Sequence, residues 1–352
     1  MMLKRLILIV TFIGLPLSFF GDYLGWSPTM MFGIYALTIV ALATYMGRAT
    51  ESVAILIGPR LGGLMNATFG NAVELIISIF TLKAGYIAIV LASMTGAVIG
   101  NLLFVSGLSF LIGGLKNKRQ KFNIYDARHH AGLLMFGVIV AFIFPHIFAA
   151  ETTESESMVL SVTIAIVMIF LYFAGLVFRL FSQRGVYPVD SGGGDDPEDA
   201  EWSKRRAMTI LIAATVGVAF VSEKLVHTFE AIGEAFGWTE LFIGVIAVAI
   251  IGNAAEHASA VYMAYKNKMN VAIEIAIGSC IQIAMFVAPF LVLLSLFFPT
   301  PMPLIFTVQE LVAMVLAALL TITMINDGDT NWFEGATLLA AYVIMGVGFY
   351  LL

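Results

Sequence analysis

Apolar runs of about 20 residues, interrupted by short polar stretches, recur along the whole chain. A helix crossing the ~30 Å hydrocarbon layer needs about 20 mostly apolar residues. Such runs are read near 4–21, 28–47, 62–82, 86–112, 129–149, 157–181, 205–224, 240–265, 270–297, 304–325 and 333–352. The breaks are short and polar: Gly21-Asp22, Lys116-Asn117-Lys118-Arg119, Glu151 to Ser157, Lys266-Asn267-Lys268 and Asn326 to Asn331. Alternating strand patterns joined by hairpin turns are absent from the sequence, which argues against an outer-membrane barrel. The predicted fold class is an all-α polytopic membrane protein of about eleven transmembrane helices.

Composition agrees with this reading. Of 352 residues, 60% are hydrophobic and only 12% charged, against about 25% charged in an average soluble domain. A soluble chain of this length would form two or three domains, and too little charge is present to coat them. A soluble enzyme is thereby excluded. The net charge of −5 comes without a basic stripe, so nucleic acid is not an expected partner. Cys280 is the one cysteine, leaving no disulfide framework or thiolate metal site. Lys4 and Arg5 precede the first apolar run, but no clean small-residue cleavage site follows. That run is read as a retained helix rather than a signal peptide.

Position makes the charges informative. With the N-terminus on the cytoplasmic side and eleven crossings, 16 of the 18 basic residues fall inside, leaving Lys83 and Lys224 outside. Lys and Arg are retained on the cytoplasmic side, so the bias supports both orientation and count. The expected location is the plasma membrane, in a multi-pass arrangement. A Gly-rich acidic stretch, Ser191 to Glu201, joins the sixth and seventh runs and reads as a solvated tether. The chain then divides into an extra N-terminal helix (1–25), a first five-helix repeat (26–184), the linker (185–203) and a second five-helix repeat (204–352).

The two halves resemble each other. Residues 70–107 align without gaps onto 252–289 at a constant offset of 182. Gly70-Asn71-Ala72-x-Glu74 matches Gly252-Asn253-Ala254-x-Glu256, and Gly96 matches Gly278. Five helices per half is an odd number, so the second half enters the membrane from the opposite side. Inverted repeats of this kind place substrate sites near the midplane in secondary transporters.

Glu74 and Glu256 are expected near the middle of their spans, where a carboxylate costs about 2.5–3.5 kcal/mol. Equivalent repeat positions bring them toward the pseudo-symmetry axis. The bland alternative is a pair of protonated glutamates bonded to neighbouring helices. Ca²⁺ takes about 6–8 hard oxygen ligands, and Asn71, Asn253, Asn101, Ser279 and Gln282 offer supporting oxygens. Asn71 and Asn253 stand three residues before each Glu, on the same helix face. Gly70, Gly96, Gly252 and Gly278 are read as helix-break or packing positions. Scarce histidine and absent thiol pairs disfavour Zn²⁺ and Cu⁺. Emptied of cation, two adjacent carboxylates cannot both stay charged in low dielectric, so protons and a divalent cation compete for the same oxygens. Glu51, Glu223 and His257 are gate or proton-path candidates, with a surface charge or a packed ring as the alternatives. Glu274, Glu310 and Glu334 lie toward span ends and are not separable from interfacial charges.

Gly70-Asn-Ala-Val-Glu-Leu75 and Gly252-Asn-Ala-Ala-Glu-His257 resemble the paired repeat motifs of the cation/proton exchanger family, within the calcium/cation antiporter superfamily. Trp26-Ser-Pro28, Ala49-Thr-Glu51, Gly62 to Gly70, Gly278-Ser-Cys-Ile-Gln-Ile283 and Asp327 to Gly335 carry the resemblance across nearly the whole chain. It implies Ca²⁺/H⁺ exchange with Glu74 and Glu256 as alternating carriers of Ca²⁺ and H⁺. The implied partners are Ca²⁺, H⁺ and the lipid bilayer, with a homo-oligomer open. No cofactor is implied, Ca²⁺ being cargo, and no enzymatic activity. Gly100 departs from the family pattern, which often has Ser there. The alternatives are a Na⁺-driven Ca²⁺ exchanger, an H⁺-coupled exchanger of Mn²⁺ or Na⁺, and a Glu-lined cation channel.

Overall fold

A computed structural model describes residues 2–21, 23–58, 62, 65, 68–178 and 200–352. The described chain is almost entirely helical: α1 (Met2–Phe20), α2 (Pro28–Ile57), α3 (Ala72–Lys83), α4 (Ile87–Asn117), α5 (Ile124–Ala149), α6 (Glu154–Val177), α7 (Lys204–Val226), α8 (Phe229–Phe236), α9 (Glu240–Tyr265), α10 (Met269–Ser295), α11 (Val308–Met324) and α12 (Trp332–Leu351). Eight of these are long and apolar enough to cross a membrane, and α11 and part of α1 are shorter apolar helices. Most of the acidic linker, residues 185–199, lies outside the described residues.

Local sequence sets the helix boundaries. Ser27 caps α2 by accepting from the Met30 N–H, and Pro28 takes the first turn, where a missing N–H costs nothing. Thr153, Thr307 and Asn331 open α6, α11 and α12 with reciprocal capping boxes to Glu156, Glu310 and Glu334, satisfying N–H groups that the helix leaves orphaned. The second helix runs to Ile57, ten residues past the predicted edge at 47, so Thr50 and Glu51 stand within it. The short helix α8 has no counterpart in the sequence reading.

Among the described residues, whole π-helical segments lie at Gly100–Val105 in α4, Val138–Ile143 in α5, Ile243–Val248 in α9 and Ile283–Val287 in α10. The segments of α4 and α10 fall at equivalent repeat positions, since 100–105 maps onto 282–287 at the offset of 182. Such bulges frequently mark functional sites because they free backbone groups and re-aim side chains.

The chain forms two compact units, 1–90 with 195–255, and 91–194 with 256–352. Each unit draws segments from both sequence halves. The first packs α1, α2, α3, α7 and α8 around Tyr35, Ile39, Met46, Ile77, Val218, Leu225 and Phe229, all buried. In the second, α4 and α12 approach closely through Gly107 and Gly335, where a Cβ on Gly335 would overlap the Leu111 backbone. Small residues that let backbones meet are a general device of helix packing in lipid. The same unit is tied at one end by strands β1 (Arg119–Lys121) and β2 (Asp329–Asn331), paired antiparallel with Arg119 opposite Asn331. Large apolar side chains such as Phe170, Ile344 and Phe12 remain exposed on helix surfaces, as a lipid-facing surface requires.

Candidate functional site

In the first unit, Glu74 is 2% exposed although it carries a carboxyl group. The sequence reading placed it mid-span in one helix over 62–82. Instead Gly70 and Asn71 form a turn, α3 begins at Ala72, and Glu74 sits in its first turn. Asn71 is the residue before the helix, with non-helical backbone and no capping bond from its side chain. The expected helical stacking of Asn71 on Glu74 is therefore replaced by a turn-to-helix relation. Gly252 packs here: a Cβ built on it would stand 3.4 Å from the Cα and Cβ of Glu74. That glycine keeps α9 close against the start of α3. Asn253 is 1% exposed and donates to the Ala249 carbonyl at 3.0 Å.

The two repeat motifs thus differ in backbone. In the second half Gly252 to Glu256 lies inside the unbroken helical stretch Ala249–Tyr265, where the first half has a turn. A helix N-terminus favours a carboxylate through its partial positive charge, so only Glu74 has that support.

In the second unit, Glu256 hydrogen-bonds to Ser279, and the Asn101 amide donates to the Ser279 hydroxyl at 3.1 Å. Since Ser279 accepts from Asn101, its own hydrogen serves the Glu256 carboxylate. Two acceptor oxygens in this cluster, Asn101 Oδ1 and Glu256 Oε2, are buried without a hydrogen-bond partner. Buried acceptors are normally hydrogen-bonded, to protein, to water or to an ion. Asn101 stands in the π-helical segment of α4, and Ser106 donates to its carbonyl at 3.0 Å.

α4 and α10 meet at repeat-equivalent residues. Cys280 Sγ lies 3.6 Å from the carbonyl of Val98, exactly one repeat offset away in sequence, at 182 residues. By the same offset Ser279 corresponds to Ala97 and Asn101 to Ile283, so neither polar group of this cluster has a polar counterpart at the equivalent position of the other half. Gln282 ends the α-helical part of α10 before its π segment.

Other candidates separate from these clusters. Glu223 pairs with Lys83 at 3.7 Å, both side chains at least half exposed, as a surface ion pair. Glu51 is exposed on α2. His257 is buried, edge-on to Phe104 at 5.9 Å, and its Nε2 has no hydrogen-bond partner. Gly278 is not a tight packing position, since nothing lies within 4 Å of a Cβ built there; the same holds for Gly100. Gly96 lies buried in α4. Glu274 is exposed and Glu334 half-buried, whereas Glu310 is 3% exposed. Its burial had no sequence signal, because a glutamate at the third position of a helix is an ordinary cap. Among the described residues, no three His, Cys, Asp or Glu side chains gather as a metal-ligand cluster.

Comparison with known proteins gives these residues a context. The sodium/calcium exchanger protein family matches over residues 27–181 and 206–351. The Ca²⁺/H⁺ antiporter ChaA of Bacillus subtilis is 60% identical over 351 residues, covering 99% of this chain and 100% of the relative. The Ca²⁺/H⁺ antiporter of Synechocystis is 42% identical, with 99% and 98% covered. The solved structure of native YfkE superposes with a TM-score of 0.88 at 57% identity, covering 98% of this chain and 100% of that one. The H⁺/Ca²⁺ exchanger CAX shares the fold at a TM-score of 0.72 and 15% identity, with 99% and 92% covered. With both sequence halves matched and a relative at 60% identity from end to end, the chain belongs to the sodium/calcium exchanger protein family.

Proposed function

We propose that this chain exchanges Ca²⁺ for H⁺ across the plasma membrane, with its N-terminus in the cytoplasm and eleven crossings. The observation that carries this is the twice-used Gly-Asn-Ala-x-Glu string in a chain 60% identical over its length to a Ca²⁺/H⁺ antiporter. Glu74 and Glu256 are the carriers: each takes part in holding Ca²⁺ when ionised and takes a proton when Ca²⁺ has left. Asn101, Ser279 and Gln282 supply oxygens on the side of Glu256, and Asn71 and Asn253 on the side of Glu74.

The chemistry of the second-unit cluster supports the reading. Ca²⁺ binds amide, hydroxyl and carboxylate oxygens at once, and the unpaired oxygens of Asn101 and Glu256 are of this kind. Removing Ca²⁺ leaves a carboxylate in low dielectric, which a proton neutralises at less cost than bare burial. Ca²⁺ and protons therefore exclude each other, and alternating exposure of the site to the two sides converts that exclusion into antiport. The test is Ca²⁺ uptake into vesicles carrying the reconstituted protein. Uptake driven by an imposed pH gradient without Na⁺ is the expected result. Uptake that ignores the pH gradient and follows a Na⁺ gradient would overturn proton coupling.

A further inference from the structure

The short helix α8 helps enclose a cavity of about 270 Å³ within the first unit, lined by none of the residues of the paired motifs. The buried part of its lining is apolar and comes from Ile89, Phe229 and Ile243. Tyr86 and Trp238, both half-buried, bring the aromatic lining to three rings. The Tyr86 and Phe229 rings meet edge to face, 6.1 Å apart and inclined at 65°, so they form two walls of a corner. The exposed part of the lining is acidic, with Glu230 on α8 and Glu240 at the start of α9. Among the described residues, no Lys, Arg or His lines the cavity.

Local sequence builds this arrangement. Gly237 ends α8 in the left-handed conformation, at φ 69°, which glycine adopts without steric cost. The chain then folds back, and the Trp238 N–H donates to the Gly233 carbonyl at 3.1 Å. The indole packs on Phe236 and Phe242, with centroids 5.1 and 5.2 Å away. Burial, and after it the charges of Glu230 and Glu240, push the Tyr86 phenol above its ordinary value, so both carboxylates act on the same wall. The lysines closest in sequence are engaged elsewhere: Lys83 pairs with Glu223 at 3.7 Å, and Lys224 lies 5.6 Å over the Phe220 ring.

Aromatic residues at a membrane interface often form a belt against lipid headgroups, but a belt requires neither a concave pocket nor two carboxylates. A metal ion fits poorly, since Ca²⁺ takes about 6–8 oxygens and most of this wall is hydrocarbon and ring. A quaternary ammonium ion spreads its charge over methyl groups, which aromatic faces attract and which need no hydrogen-bond acceptor. We propose that this cavity binds a small quaternary ammonium group, with Tyr86, Phe229 and Trp238 around its methyl groups and Glu230 and Glu240 as counter-charges. The site is separate from the glutamates proposed to carry Ca²⁺ and protons, and its occupancy is read without transport.

The test is equilibrium binding of labelled choline to the full-length protein in phosphatidylglycerol vesicles. Saturable binding is expected, and dimethylbutanol, the uncharged carbon isostere of choline, should not displace it. Trp238→Ala should weaken binding about tenfold, whereas Trp238→Phe keeps a ring and most of the affinity. Glu230→Gln combined with Glu240→Gln replaces two exposed carboxylates, so the melting temperature should hold. In that double variant affinity should fall several-fold and lose its dependence on salt. Absence of saturable binding, equal displacement by dimethylbutanol, or wild-type affinity in both Trp238→Ala and the double variant would overturn the proposal. The cavity lies where α4 and α9 begin, so phosphatidylcholine vesicles distinguish the source of the group. Loss of choline binding there supports the site with a lipid headgroup as occupant, and unchanged binding supports it with a soluble ion.

Discussion

Ser279→Ala tests the cluster around Glu256 most directly. The serine accepts from Asn101 at 3.1 Å and bonds to Glu256. Alanine removes both contacts and adds no bulk. A hydrogen bond to a charged group contributes about 1.5–3 kcal/mol, and it is present in full only when Glu256 is ionised, the form proposed to take Ca²⁺. Losing about 1.5 kcal/mol from that form weakens Ca²⁺ binding roughly tenfold. The Asn101 amide would also be left buried without an acceptor, at a further cost of about 1–3 kcal/mol, shared by every state and so read mainly as stability. The expected result in vesicles is a Km for Ca²⁺ raised about tenfold, more strongly in acid than in alkali because protons then compete better. Ser279→Thr, which keeps the hydroxyl, should restore most of the loss. A Ser279→Ala protein with unchanged Km at every pH would refute the role assigned to this contact, whatever its melting temperature.

Four further outcomes follow. Glu74→Gln and Glu256→Gln should each abolish pH-driven Ca²⁺ uptake while the protein elutes as a single sharp peak in detergent; full activity of either would remove that residue from the carriers. Gly252→Ala places a methyl group at ordinary contact distance from Glu74, 3.4 Å, and should be tolerated. Gly252→Val adds branches that must displace the start of α3, so uptake should fall at least tenfold without loss of folding. Gly335→Ala drives a methyl into the Leu111 backbone and should cost about 1–3 kcal/mol, as overpacking does, read as a lower melting temperature. Gly278→Ala meets no atom within 4 Å and should raise thermal stability, because Ala is the better helix former by about 1 kcal/mol.

Much of the candidate site stands out in the sequence because carboxylates and amides are rare in apolar runs. Glu74, Asn101, Asn253 and Glu256 are therefore conspicuous, and the offset of 182 residues pairs the motifs without any structure. Backbone differences between the halves were not legible. The strings at 70–74 and 252–256 are nearly identical, yet one breaks into a turn and the other continues as helix. Neighbouring helices decide that, and hydropathy does not record them. The π-helical segments were invisible because these runs are apolar on every side, so a widened turn leaves no mark on the hydropathy.

By itself the sequence determined that the chain lives in a membrane and which residue types mark the repeat. These follow from transfer free energies that are large and local, about 2.5–3.5 kcal/mol for one misplaced charge. Only the tertiary structure decided which of the remaining polar groups meet. It set Asn101 and Glu256 on either side of Ser279, made Glu223 a surface ion pair with Lys83 and buried Glu310 against Thr95. Hydrogen bonds need partners within about 3.2 Å, and pairs as distant in sequence as Asn101 and Ser279, or Thr95 and Glu310, reach that distance only through packing.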